Sequence, residues 1–183
     1  MAAGEATSST TGRVDLLRLR PPGPDDEAAF AAAHTAMAAE GFSFGLFYEP
    51  GTAWPDYLTT LDAGRRGVDL PPGRVWSTFL VADVDGVLVG RSSIRFRLND
   101  FLAREGGHIG YGVLAEHRRR GYATEMLRQS LVIARAGGVE RALVTCDDDN
   151  VASAVIIERC GGVLESVVEP RDGGTPLRRY WIA

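Results

Sequence analysis

The stretch HIGYGVLAEHRRRGYATEML (residues 108–127) constrains the fold more than any other part of the chain. It begins as a short strand-like run ending at Leu114 and passes through a loop of Arg118, Arg119, Arg120 and Gly121. It then takes up helical spacing at Tyr122, Met126, Leu127, Ser130, Leu131 and Ala134. A strand that turns so directly into a helix leaves the first helical amides unpaired, and the positive end of the helix dipole faces the same way. Gly121 and Ala123 keep bulk away from that backbone, so a ligand can approach it closely. Three adjacent arginines add fixed positive charge. The combination suits a diphosphate or similar anion. The plainer reading is a solvated arginine surface, although cations at a helix start oppose the dipole unless an anion joins them.

Around this segment the pattern reads as one α/β domain over residues 13–183, behind a disordered tail of small polar residues over 1–12. Residues 13–20 read as a first strand. PPGPDD breaks the chain and starts a helix with Phe30, Ala33 and Met37 on one face, which Gly41 stops. Trp54, Tyr57, Leu58 and Leu61 predict a short second helix. Residues 75–84 and 87–98 flank Asp85-Gly86 as a hairpin, and residues 99–106 read as a loop. After the central strand and helix come a buried strand over 141–146 and a helix over 150–160 capped by Asp149 or Asn150. Two strands around RDGGT close the chain. The strand-helix-strand unit in the middle is the kind that places ligands at strand ends.

Composition removes several chemistries. All 20 Lys and Arg residues are Arg, so a Schiff-base lysine, a lysine base and a phosphate-loop lysine are excluded. A net charge of -4 argues against a nucleic-acid partner and fits a cationic substrate. No run reaches the ~20 apolar residues of a membrane span, and the first residues lack the apolar core of an export signal. Cys146 and Cys160 form no CxxC pair, which points to reduced thiols and a cytoplasmic protein. With His34, His108 and His117 as the sole histidines, no zinc-ligand spacing occurs and no metal is expected.

Arg118-x-x-Gly121-x-Ala123 resembles the pyrophosphate loop of the GNAT superfamily of N-acetyltransferases. The resemblance extends through Asn150-x-x-Ser153, Glu158 and Gly161-Gly162, and through the order of elements from about residue 13 to 182. More narrowly, GHIGYG (107–112), VTCD (144–147) and RRYW (178–181) look like a subgroup of predicted acetyltransferases without an assigned substrate. The resemblance implies a mixed, mostly antiparallel central sheet flanked by helices, with two central strands splayed apart. It implies acetyl-CoA as cosubstrate. Val113 and Leu114 would pair with the pantetheine arm, and the amides from Arg119 to Thr124, with Arg118, Arg120, Gly121, Tyr122 and Ala123 in the same loop, would hold the pyrophosphate. Asn150 and Ser153 would lie near the thiol end; helix capping is their alternative role. A homodimer is compatible with the resemblance.

The expected proton-handling groups are missing. Many members carry a tyrosine acid seven residues after the helix asparagine, where this chain has Ile157. Some carry a glutamate base eleven residues before the loop, where this chain has Gly107. The replacement candidates are His108, Tyr111 and Glu105, with Tyr180 weaker. Strand alternation puts His108 on the opposite face from position 107 unless a bulge intervenes, and puts Tyr111 on the same face. Water can also take the proton if the enzyme acts chiefly by positioning. Phe42, Phe44, Phe47, Tyr48, Trp54 and Trp76 are candidate walls for an acceptor pocket, and Asp100 or Glu105 could attract a cation. The function implied is acetyl transfer to a primary amine of a small molecule or peptide. The alternative is a non-catalytic acyl-CoA-binding or sensor domain.

Overall fold

In a computed structural model of the chain, residues 16–171 and 173–183 are described. The tail expected over 1–12 lies outside them, and the first strand is seen as β1, Leu17–Arg20. A 3-10 turn, Pro24–Asp26, leads into α1, Glu27–Ala38, and α2 follows at Trp54–Arg66. The hairpin is β2, Ser77–Val84, and β3, Val87–Arg95. The centre is β4, Ile109–Val113, then α3, Tyr122–Ala136, and β5, Ala142–Asp147. The chain closes with α4, Val151–Arg159, β6, Val163–Val168, and β7, Leu177–Ile182. The stretch before β4 departs from the expected loop: Leu102–Gly106 forms a π-helical turn. Asn99 Oδ1 caps the Leu102 amide at 2.9 Å, and the Gly107 amide closes the wide turn on the Leu102 carbonyl at 2.7 Å. That closure needs the left-handed φ of 63° that Gly107 adopts.

The seven strands lie in the order β1-β2-β3-β4-β5-β7-β6. Every neighbouring pair is antiparallel except β4–β5, which is parallel and holds a single register pair, Ile109↔Val144. Beyond it the two strands diverge, so the sheet has a gap at its centre that opens toward the carboxyl ends of β4 and β5.

The two faces are packed differently. One is covered by α1, α2 and the segment between them, around Phe30. Its ring has Phe44, Tyr48, Trp54, Tyr57 and Phe79 with centroids 5.0 to 5.8 Å away. The other is covered by α3 and α4, with Met126, Leu127, Ile157 and Tyr180 buried against β3–β5 and β7. Alternation in β4 feeds both faces: Ile109, Tyr111 and Val113 pack toward α3 and α4, while Gly110 and Gly112 point toward α1.

Candidate active site

The loop between β4 and α3 takes the shape its sequence demands. A 3-10 turn, Ala115–His117, is followed by Arg119 at φ 64° and by Gly121, the left-handed residue before α3, at φ 82°. Among the described residues, the amides of Tyr122, Ala123 and Thr124 find no acceptor within the chain, and no side chain caps the helix. The first bond of the helix start comes from the Glu125 amide to the Gly121 carbonyl at 3.2 Å. A diphosphate would satisfy these amides and meet the favourable end of the dipole. Arg119 and Arg120 are exposed beside them. Arg118 is turned away: its Nε reaches the Val113 carbonyl at 3.0 Å and its Nη2 pairs with Glu40 at the end of α1.

The two strand positions expected to pair with a pantetheine arm, Val113 and Leu114, differ in their backbone bonding. The Leu114 amide is bonded to the Val89 carbonyl of β3 at 3.0 Å, so it is spent inside the sheet. Backbone alternation turns the polar groups of Tyr111 and Val113 the other way, toward the gap beside β5, where the Val113 carbonyl already accepts from Arg118 Nε.

Tyr111 and Ser153 meet across this gap, with the phenol oxygen 3.0 Å from Ser153 Oγ. Burial pushes the Tyr111 hydroxyl up to about 12, against the opposing pull of the Ser153 bond. Asn150 caps α4, its Oδ1 accepting from the Ser153 amide at 3.0 Å, so its side-chain oxygen is committed to the helix. Ile157, where a tyrosine acid was expected by resemblance, is fully buried in the core. Gly107 cannot be replaced by the expected glutamate: a Cβ there would stand 2.6 Å from the Leu143 carbonyl oxygen, on a residue with positive φ.

His108 and Glu105 stand apart from Tyr111. The His108 Nδ1 accepts from the Leu143 amide at 2.9 Å while the His108 amide donates to the Leu143 carbonyl at 2.7 Å. The imidazole thus completes the sheet at the closed end of the gap. Its edge borders a shallow cleft with Phe96, Gly138 and Arg141. Burial, aided by the nearby Arg95 charge, holds its pKa below the ordinary value. Glu105, in the π-helical turn, accepts from the Arg171 amide at 3.0 Å and sits 3.4 Å from Arg104 Nε. Its carboxylate ties the turn to the β6–β7 connection. Tyr180 is buried and donates to Glu158 Oε1 at 3.1 Å.

On the α1–α2 face lies a cavity of about 590 Å³, bordered by Phe47, Leu61, Phe79, Ser93, Arg95 and Phe101. Of the aromatic walls expected from sequence, Phe47 alone lines it. Phe44 and Trp54 are core, Trp76 stacks on Phe96 at 4.4 Å, and Phe42 lies under Arg91. Sequence reading also passed over three residues of β3. Arg91, Ser93 and Arg95 share the face of Gly110. The built position of a Cβ at Gly110 is 3.4 Å from Arg95 Nη1, 3.4 Å from Ser93 Oγ and 3.5 Å from Arg91 Nη1. Their signal was the period-two recurrence Arg-Ser-Arg in β3, which places all three on one face.

Residues 17–163 match the family described as Acetyltransferase (GNAT) domain. No curated protein sequence matches the chain. Among solved structures the fold is similar to the microcin C7 self-immunity acetyltransferase MccE in complex with acetyl-CoA and AMP, at TM-score 0.65 and 17% identity over 92% of this chain and 93% of that one. It is also similar to RimL, a ribosomal L7/L12 alpha-N-protein acetyltransferase in complex with coenzyme A, at TM-score 0.66 and 17% identity over 91% and 93%. An acetyltransferase from Salmonella typhimurium that modifies the N-terminal serine of ribosomal protein L7/L12 gives TM-score 0.65 and 16% identity over 91% and 94%. At such identities the likeness is one of fold.

Proposed function

The chain belongs to the GNAT family of acetyltransferases, and from that premise we propose that it moves the acetyl group of acetyl-CoA to a primary amine of a small molecule or peptide by direct attack on the thioester. The observation that carries the cosubstrate is the start of α3: three amides without acceptors, behind a left-handed glycine, beyond a strand that parts from its neighbour. Tyr122, Ala123 and Thr124 would donate to the pyrophosphate, with Arg119 and Arg120 neutralising charge in a bidentate manner. Arg118 would join them on leaving Glu40. The pantetheine arm would lie in the gap against Tyr111 and Val113, which brings the thioester to the Tyr111–Ser153 pair.

As the new C–N bond forms and the C–S bond breaks, the proton lost by the amine passes to water and the sulfur leaves as thiolate. The Tyr111 hydroxyl donates a hydrogen bond to that thiolate. His108 and Glu105, engaged in the sheet and in the β6–β7 connection, position backbone and do not handle protons. The two free cysteines and the absence, among the described residues, of any helix long and apolar enough to cross a membrane fit a cytoplasmic setting.

Calorimetric titration with acetyl-CoA tests the site. Binding is expected in the native protein and should disappear in Gly121→Glu, which places a carboxylate where the pyrophosphate would lie. Unchanged binding in that variant refutes the loop assignment. Tight binding with no coenzyme A release across a broad amine panel would favour the non-catalytic acyl-CoA binder.

A further inference from the structure

Arg91 is a buried cation and Arg95 a half-buried one, and among the described residues neither has a counter-ion. Arg91 is 5% exposed. Its Nη1 donates to Ser93 Oγ at 3.2 Å and to the Gly110 carbonyl at 3.1 Å, and its Nη2 donates to the Ser43 carbonyl at 2.8 Å. Its Nε is buried and has no partner. Arg95 spends Nη1 on the Gly106 carbonyl at 3.3 Å and lines the cavity. Among the described residues, no carboxylate comes within ion-pair distance of either. Burial pulls both guanidinium pKa values down, and for Arg91 the charge of Arg95 adds to the effect. A guanidinium nevertheless stays protonated in a protein. Buried charges are ordinarily paired, and two like charges left together are costly.

The two guanidiniums and the Ser93 hydroxyl close over Gly110, and the cavity beside them is lined by Ser93 and Arg95, with Arg91 behind them. From Gly110 to Leu114, at the entrance of the loop, is four residues of strand, about 13 Å. The cradle is therefore separate from the amides of α3.

We propose that the amine acceptor carries an oxyanion, a carboxylate or a phosphate ester, which Arg95 and Ser93 hold at the cavity wall, with the Arg91 charge behind them, while the amine reaches the thioester. This rests on the acetyl-transfer reading above and specifies its acceptor class. It reverses the expectation, drawn from net charge, of a cationic substrate. The chain as a whole carries a net charge of -4, whereas the cavity is lined by two arginines, Arg74 and Arg95, against one carboxylate, Asp69.

The test uses the intact protein saturated with coenzyme A, so that the α3 amides are filled. Acetate and inorganic phosphate are titrated against thermal unfolding. At least one should raise the midpoint of the native protein, and the rise should be lost in Arg95→Gln and reduced in Ser93→Ala; no rise with either anion overturns the inference. Ser93→Ala removes one hydroxyl from the cavity wall and adds no bulk. In parallel, coenzyme A release is measured with aminocarboxylates, aminoalkyl phosphates and their neutral amide or alcohol counterparts. The best anionic acceptor should exceed its neutral counterpart by about 10-fold or more in kcat/KM, and Arg95→Gln should shrink that ratio. The better of the two anionic series identifies the source. Equal or higher activity with the neutral counterparts overturns the inference. So does anion protection that survives both variants. Failure of coenzyme A to bind the native protein would instead strike the reading on which the inference rests, and is seen separately.

Discussion

Replacing Tyr111 by Phe isolates one atom of the proposed chemistry. The phenol stands 3.0 Å from Ser153 Oγ in the gap between β4 and β5, and burial raises it to about 12. An ordinary thiol titrates near 8.5, so the phenol holds its proton more tightly than a thiol does. It should stabilise a leaving thiolate by donating a hydrogen bond, without surrendering the proton. A hydrogen bond to a charged group is worth about 1.5–3 kcal/mol. At 1.36 kcal/mol per pKa unit, removing it should raise the pKa of enzyme-bound coenzyme A thiol by about 1–2 units. The same energy expressed in the transition state is about 10- to 150-fold in kcat. Thiolate absorbance in the ultraviolet, followed against pH in the binary complex, reads the first quantity without any acceptor. Ser153→Ala is the control, because it removes the phenol's partner and keeps the donor; it should change the bound thiol much less. A bound-thiol pKa that agrees within about 0.3 unit between the native protein and Tyr111→Phe would refute the assignment.

Two further outcomes follow from the same geometry. His108 is held neutral by burial and by Arg95, and its Nδ1 accepts from Leu143. Its folded pKa lies below the unfolded value near 6.5, so the unfolded chain binds more protons in that window. The stabilisation is complete above about 6.5 and is lost as pH falls through the folded value. Denaturant midpoints across this range should fall with pH in the native protein and be flatter in His108→Asn, whose Oδ1 can replace the acceptor; loss of the acidic limb of kcat/KM in that variant would instead make His108 the base. In the proposed site Glu40 would compete with the pyrophosphate for Arg118, across an exposed pair worth no more than about 1 kcal/mol. Glu40→Gln should therefore tighten acetyl-CoA about 2- to 5-fold at low salt, with the gain fading as salt rises, and weaker binding would show that the pair organises the loop.

The order of elements and the strand-loop-helix at the centre were legible because each rests on local signals: period-two alternation, Asp85-Gly86, Gly121 before a helical stripe, Asn150 before another. The π-helical turn at Leu102–Gly106 was not, because its closure depends on a six-residue span and a left-handed Gly107 that no short-range pattern marks. Position 107, where the resemblance implied a glutamate base, holds a glycine. The reason lies in the neighbouring strand, whose Leu143 carbonyl fills the space a side chain would need. His108 and Glu105 were plausible acids and bases by type. Their partners, the Leu143 and Arg171 amides, are 35 and 66 residues away along the chain.

The acceptor side shows the same limit from the opposite direction. Arg91, Ser93 and Arg95 alternate along β3 as a polar face would, and a polar face on a strand ordinarily meets water. Here that face is roofed by α1, α2 and the segment between them, which supplies the Ser43 carbonyl and the Phe42 ring to Arg91. Alternation shows which residues share a face, but burial depends on elements 25 to 68 residues upstream. Two arginines that would be unremarkable in solvent become a concentrated positive charge under that roof. A guanidinium cannot shed its proton to escape burial as an amine can, and the proposed oxyanion would meet that charge. The absence of lysine therefore has a consequence at this spot: an amine here could neutralise itself, and an arginine keeps the cavity selective for an anion.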